Sequence, residues 1–192
     1  ALRGHYPEAL EQLVEAFQML GTDDPPTAAS ILVRVIELEN VLGRYGAALR
    51  RTELLMQLTT STALLLHRAE GLALAGESYV AIGMPREATE AARQAAQAAL
   101  ALGSRGFAAG LRAARVLCDV EQRDDARALL DKLGQAPGSG LDDYEGQAMA
   151  VRARAIVRAA LSGRLDDAQT RTDPIFGFEV PLAIEGVDPA LL

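Results

Sequence analysis

The sequence predicts an all-α protein, a right-handed α-solenoid built from antiparallel helix hairpins. Three observations carry this. Apolar residues make up 49% of the 192 positions while aromatics make up only 4% and Trp is absent, so the core is built from Ala, Leu and Val. That mixture favours closely spaced helices over a sheet, where β-branched and aromatic residues dominate. Second, turn signals recur at an even spacing: Gly4 to Gly43 is 39 residues, Gly43 to Gly83 is 40, Gly83 to Glu121 is 38 and Glu121 to Gly163 is 42. Third, Tyr, Leu or Pro follows two residues after most of these turns and Ala follows five residues after each. Two helices per period of about 40 residues mark a stacked helical array.

The stretch from Leu72 to Ala95 is the clearest unit. Leu72, Ala75, Gly76 and Tyr79 fall on one helical stripe. The pattern breaks at Gly83-Met84-Pro85, and Ala88, Ala92 and Ala95 then form a second stripe of small residues that lets two helices lie close. The other units are read against it. Gly4 and Tyr6 mark a first turn, after which Ala9, Leu13 and Ala16 form a buried stripe. Asp23-Asp24-Pro25-Pro26 ends that helix and opens the next, since Asp caps helix N-termini and Pro suits the first turn.

That next helix spans about Thr27 to Leu42, followed by the turn Gly43-Arg44-Tyr45 and a return over Ala47 to Leu58. Thr59-Thr60-Ser61-Thr62 supplies N-capping side chains for the reference unit, and Gly103-Ser104 closes it. A fourth first helix runs to about Val120, turns at Glu121-Gln122-Arg123 without glycine, and returns over Asp124 to Leu133. Gln135 to Gly140 is the most loop-like stretch. A fifth first helix, capped by Asp142 or Asp143, ends near Gly163, with a stub of return helix at Asp166 to Ala168. The repeat domain is accordingly expected over residues 1–170, with an extended tail or linker over 171–192.

Charge and motif content exclude several classes. The net charge of −7, from 26 acidic and 19 basic side chains, argues against general nucleic-acid binding, which needs clustered positive charge. The basic residues are nearly all Arg, with Lys132 the sole Lys. One cysteine, Cys118, excludes an internal disulfide framework and fits a reducing, cytoplasmic setting. No apolar run approaches the ~18 residues of a membrane span, and no signal peptide is visible. The start at Ala1, inside what reads as a helix pair, predicts an excerpt of a larger protein.

No catalytic constellation, metal set or cofactor motif is found, so no enzyme is expected. His5 and His67, the two histidines, fall in different units. His67 beside Arg68 reads as a surface or packing residue, and without a His or Cys at helical spacing no zinc pattern exists. Cys118 reads as a buried, inert thiol. No phosphate-binding glycine motif is present. Asp124-Asp125 and Asp166-Asp167 stand at helix starts, where capping and the helix dipole favour negative charge.

Gly4-His5-Tyr6 with Ala9, Gly43-Arg44-Tyr45 with Ala48, and Leu72-Gly76-Tyr79-Gly83-Ala88-Ala95 resemble the tetratricopeptide repeat. The resemblance covers about residues 1–168. The chain departs from that family in lacking the first-helix Trp and most closing Pro residues, and its period exceeds the family's 34 residues. Its longer helices look like the repeat arrays of large bacterial signalling regulators, which sit beside ATPase, DNA-binding or cyclic-dinucleotide domains.

The resemblance implies a protein- or peptide-binding groove lined by the first helix of each unit. The groove positions it implies are Arg34, Glu37, Asn40, Glu77, Arg112, Arg115 and Arg154. Arg112, Arg115 and Arg154 read either as a basic patch that senses a small anion, or as helix-face arginines paired with neighbours such as Asp119. The tail carries Pro174, Pro181 and Pro189, which forbid a regular helix. At ~3.3 Å per residue it reaches roughly 70 Å. Phe176, Phe178 and Val180 make it a candidate docking peptide for the groove of its own or a neighbouring chain. A linker, or a cover for the last unit, is the plainer alternative. Self-association as a homodimer through the last hairpin or the tail is a further expectation.

Overall fold

The computed structural model describes residues 5–135. Among them are seven α-helices and two short 3₁₀ turns, with no strand. The helices are α1 (Tyr6–Leu20), α2 (Pro25–Val41), α3 (Tyr45–Leu58), α4 (Leu65–Ala81), α5 (Pro85–Ala101), α6 (Phe107–Asp119) and α7 (Arg123–Gln135). The all-α expectation therefore holds. The fifth hairpin, Arg154 and the tail with Phe176, Phe178 and Val180 lie outside the described residues.

Three hairpins, α2–α3, α4–α5 and α6–α7, are closed by one repeated turn. Gly43, Gly83 and Glu121 each sit in the left-handed backbone region, with φ of 72°, 76° and 64°. At each turn two amides satisfy carbonyls of the preceding helix. Gly43 N–H donates to Asn40 and Arg44 N–H to Glu39; Gly83 to Val80 and Met84 to Tyr79; Glu121 to Cys118 and Gln122 to Leu117. This double bond pattern is the Schellman motif, which satisfies helix carbonyls through a left-handed residue. Glycine takes that conformation without steric cost and Glu121 does not. The next helix begins on the same register each time: Ala48, Ala88 and Ala126 donate to the carbonyls of Arg44, Met84 and Gln122, and all three are fully buried.

The hairpins pack into two connected layers. The first helices α2, α4 and α6 touch in sequence, and α3 and α5 fill the spaces behind them by packing on α4 and α6 respectively. Leu32, Ile36, Leu55 and Leu74 form the core of the first hairpin and its seam with α4. Leu72, Ala92, Leu111, Leu117, Leu130 and Leu133 belong to the larger core of the other two. α4 packs on α2, α3, α5 and α6. It is consequently buried over every residue from Gly71 to Gly76, rather than along the single stripe its spacing predicts. A helix apolar all round is a central one.

Small residues set the spacing. Ala88, Ala92, Ala95 and Ala99 of α5 are fully buried. Gly76 faces α6, where an added Cβ would sit 3.0 Å from Val116 Cγ1. Its small size therefore serves contact between hairpins rather than within one.

Several local expectations are corrected. In α1 it is Leu10 that is buried, while Ala9 and Leu13 are half-buried and Ala16 is exposed. The main contact of α1 is with α2, so only one narrow face is covered. Asp24 stands at the N-cap of α2, but its carboxylate takes the Thr27 hydroxyl (2.6 Å) instead of a backbone amide. Thr59 finishes α3 rather than starting α4: its buried hydroxyl donates to Leu55 O at 2.7 Å. Asp124 and Asp125 do sit in the first turn of α7, and Asp125 also holds Arg93 of α5 at 2.8 Å.

Candidate functional site

The repeated turn fixes which side chains of α2, α4 and α6 share a face. Six residues before each left-handed turn residue stand Glu37, Glu77 and Arg115; nine before stand Arg34, Leu74 and Arg112. These positions are one and two helical turns up from the loop and lie on the same side of each helix. The face they form encloses a cavity of about 260 Å³. Of the groove positions implied by the repeat resemblance, Glu37, Asn40, Glu77, Arg112 and Arg115 all line it. Arg34 stands beside it, bonded to Glu37 at 2.7 Å.

Arg112 is the centre of the site. Its Nη2 lies 2.5 Å from Glu37 Oε1 on α2, and its Nη1 lies 3.4 Å from Glu77 Oε1 on α4. One guanidinium thereby joins all three hairpins. Burial alone would lower its pKa, but the Glu77 and Glu37 carboxylates outweigh that and hold it above its ordinary value. Burying the charge is tolerable because it is paired and hydrogen-bonded. Arg115 pairs with Asp119 on its own helix at 3.6 Å. The two arginines thus face three lining carboxylates, Glu37, Glu77 and Asp119. The arginines stand where the basic-patch expectation put them, but the cavity they line is not basic, and the pairing of Arg115 with Asp119 follows the alternative.

Asn40 lines the cavity, yet its amide is committed to the neighbouring hairpin. Its Nδ2 donates to Leu74 O at 2.9 Å, and its Oδ1 accepts the Ser78 hydroxyl at 2.6 Å. It is a clamp between α2 and α4. Part of the lining is apolar, with Val41, Leu74, Val80 and the ring-bearing Tyr45. These apolar lining residues were missed by sequence reasoning, although the same offsets from the turn locate Leu74 directly.

Two further groups come together unforeseen. Glu70 on α4 lies near His67, Arg34 and Arg112, and burial raises its carboxyl above the usual carboxylate range despite those cations. Ser30 of α2 and His67 of α4 approach to 2.9 Å between Oγ and Nε2. The Ser30 Oγ also lies 3.0 Å from Pro26 O, and the buried Nδ1 of His67 is without a hydrogen-bond partner. Serine and histidine are therefore neighbours, but no carboxylate orients the imidazole through Nδ1 as an activated nucleophile requires. His67 itself is half-buried on α4.

Cys118 is half-buried on α6, and burial, with Asp119 adding to it, pushes its thiol up to about 11. Among the described residues no group of three or more His, Cys, Asp or Glu could hold a metal. No helix among them is long and apolar enough to cross a membrane.

Comparison with known proteins leaves the family open. No family model matches the chain, and no solved structure matches it. Short stretches are similar to phosphoenolpyruvate carboxykinase (ATP). The Rhizobium rhizogenes protein is 56% identical over 48 residues, which is 24% of this chain and 9% of that protein. The Paracoccus denitrificans protein is 54% identical over 48 residues with the same shares. The Thermus thermophilus protein is 56% identical over 39 residues, 20% of this chain and 7% of that protein. The chain spans 9% or less of the length of these curated relatives.

Proposed function

We propose that this chain is a tetratricopeptide-repeat-like right-handed solenoid with a period near 40 residues, serving as a protein- or peptide-binding module. The observation that carries the reading is the convergence of equivalent positions on one cavity. Glu37, Glu77 and Arg115, each six residues before its turn, line a single concavity together. Stacked hairpins present their first helices on a concave face, and recognition of extended segments is the use such faces serve. A role within a larger, cytoplasmic bacterial regulatory protein fits this reading. Sensing of a small anion is less well supported, because Arg112 is held by two carboxylates and Arg115 by one. The likeness to the Rhizobium rhizogenes phosphoenolpyruvate carboxykinase covers 24% of this chain and 9% of that protein, and no carboxykinase activity is assigned to this chain.

The test is hydrogen exchange on the full chain with and without a mixed pool of short peptides. Peptide binding in the concavity slows exchange at the cavity-facing turns of α2, α4 and α6 and leaves the exposed side of α3 unchanged. If no peptide of any composition alters exchange there, the reading fails.

A further inference from the structure

The ordering of charge by depth in the cavity says which peptides it takes. Among the charged residues lining the cavity, both arginines and Glu37 are the more buried, and Glu77 and Asp119 the more exposed. Arg112 exposes 12% of its side chain and Arg115 14%, whereas Glu77 exposes 29% and Asp119 33%. An incoming ligand therefore meets Glu77 and Asp119 before the two lining arginines, beside the apolar lining residues Val41, Leu74 and Val80. Both arginines already face carboxylates of the protein, so a ligand anion has to displace Glu77 or Asp119 to reach them. A ligand cation meets Glu77, whose contact with Arg112 is 3.4 Å, a long one for a charged pair. The chain's net charge of −7 draws cations towards it over longer range.

We propose that the cavity recognises a peptide presenting Lys or Arg next to a Leu- or Val-sized side chain, the cation on Glu77 and Asp119 and the apolar group on the apolar lining residues. This rests on the peptide-binding reading above and specifies its partner. It also excludes the chain's own tail as occupant. Residues 172–192 carry Asp173, Glu179, Glu185 and Asp188 and no Lys or Arg. Phe176, Phe178 and Val180 would bring that acidity onto the cavity's outer carboxylates.

Fluorescence anisotropy on the full chain tests this. One pool of fluorescein-labelled peptides is randomised over Leu, Val, Lys and Arg, and a matched pool over Leu, Val, Asp and Glu. The basic pool is expected to bind and the acidic pool and a peptide of residues 172–192 are not. Joint replacement Glu77→Gln with Asp119→Asn weakens binding about tenfold, the sum of two exposed charge contacts. Ala81→Arg, at an exposed position on the cavity lining, does the same with little risk to the fold.

Binding of the acidic pool or the tail peptide, lost in Arg115→Ala, overturns the charge assignment while leaving the peptide-binding reading standing. Binding of the basic pool that neither variant weakens places it elsewhere on the acidic surface and overturns the site. If neither pool binds, both readings fall together.

Discussion

Arg112 on α6 reaches past α4 to Glu37 on α2, closing a 2.5 Å ion pair between residues 75 apart in sequence. With Glu77 on its other side, this one side chain links all three hairpins, whereas Asn40 ties α2 to α4 and Asp125 ties α7 to α5 only pairwise. Replacing it leaves Glu77 without its cation and Glu37 with only the exposed Arg34. Arg112→Met should therefore cost about 3 kcal/mol, the lower end for removing one member of a buried pair, because Glu37 keeps Arg34 and Glu77 is partly exposed. Adding Glu37→Gln and Glu77→Gln should recover most of that loss, because the penalty lies in the orphaned charges. Urea unfolding of the parent, Arg112→Met and the triple variant checks this, and a triple variant no better than Arg112→Met would mean that packing of the Arg stem dominates.

Glu121 offers a separate handle on the repeated turn. At φ 64° it occupies a conformation that its counterparts Gly43 and Gly83 fill without a Cβ. A side chain there costs roughly 1–2 kcal/mol, part of which glycine returns through its looser unfolded state. Glu121→Gly should stabilise the chain by about 1 kcal/mol, and Gly83→Ala should destabilise it by a similar amount. In a chain this long each corresponds to roughly 2–4 °C in melting temperature. Thermal unfolding that moved both variants in the same direction would contradict the shared turn geometry.

Much of this was legible in the sequence, because the turn and its following Ala are local. Gly43 with Ala48 and Gly83 with Ala88 announce themselves. Spacing alone located the third turn at Glu121, where residue type pointed the other way. The groove positions followed from the repeat resemblance, and five of them share the cavity. What stayed hidden is what depends on stacking. Nothing near Arg112 indicates that its partner is Glu37, two hairpins away. Asn40 looked like a groove ligand, but the approach of Leu74 and Ser78 claims its amide. Short polar side chains have several local partners: Asp24 stands at the N-cap of α2 but takes the Thr27 hydroxyl, and Thr59 binds a helix-end carbonyl instead of capping α4.

Glu39 predicts a pH effect. Its side chain is buried, Oε2 has no hydrogen-bond partner, and Arg51 lies 3.9 Å from Oε1. Burial raises its carboxyl above the ordinary value of 4.5, outweighing Arg51, Arg50 and Arg44. Folding thus favours the protonated form. The stability linked to this group is fully present below about 4.5 and is lost as pH rises through the raised folded value. Glu39→Gln should be more stable than the parent at pH 7 and indistinguishable from it near pH 4. Denaturant midpoints at the two pH values decide, and a variant less stable at pH 7 would mean that the Arg51 contact outweighs the burial.

Cys118 should be slow. With its thiol at about 11, roughly one molecule in a thousand carries a thiolate at pH 8, against about a quarter for an unperturbed thiol. Alkylation by iodoacetamide in the folded chain should run on the order of a hundredfold below that of the urea-unfolded chain, and should accelerate as pH approaches 11. Equal rates in the two states would contradict the burial that raises the thiol.

The same substitution should act with opposite signs at two glycines, according to what each faces. Both lie within helices, so Ala improves helix propensity by about 1 kcal/mol in either place. At Gly46, on the exposed side of α3, an added Cβ meets only Arg50 Nη1 at 3.8 Å. Gly46→Ala should therefore stabilise by roughly 0.5–1 kcal/mol. At Gly76 the Cβ meets Val116 at 3.0 and 3.2 Å, in the seam where α4 and α6 hold Glu77 against Arg112. There the strain of overpacking, typically 1–3 kcal/mol, exceeds the propensity gain. Gly76→Ala alone should be destabilising, and Val116→Ala in the same chain should relieve part of the loss. A double-mutant cycle with a coupling energy near zero would show that α4 and α6 do not meet at this pair.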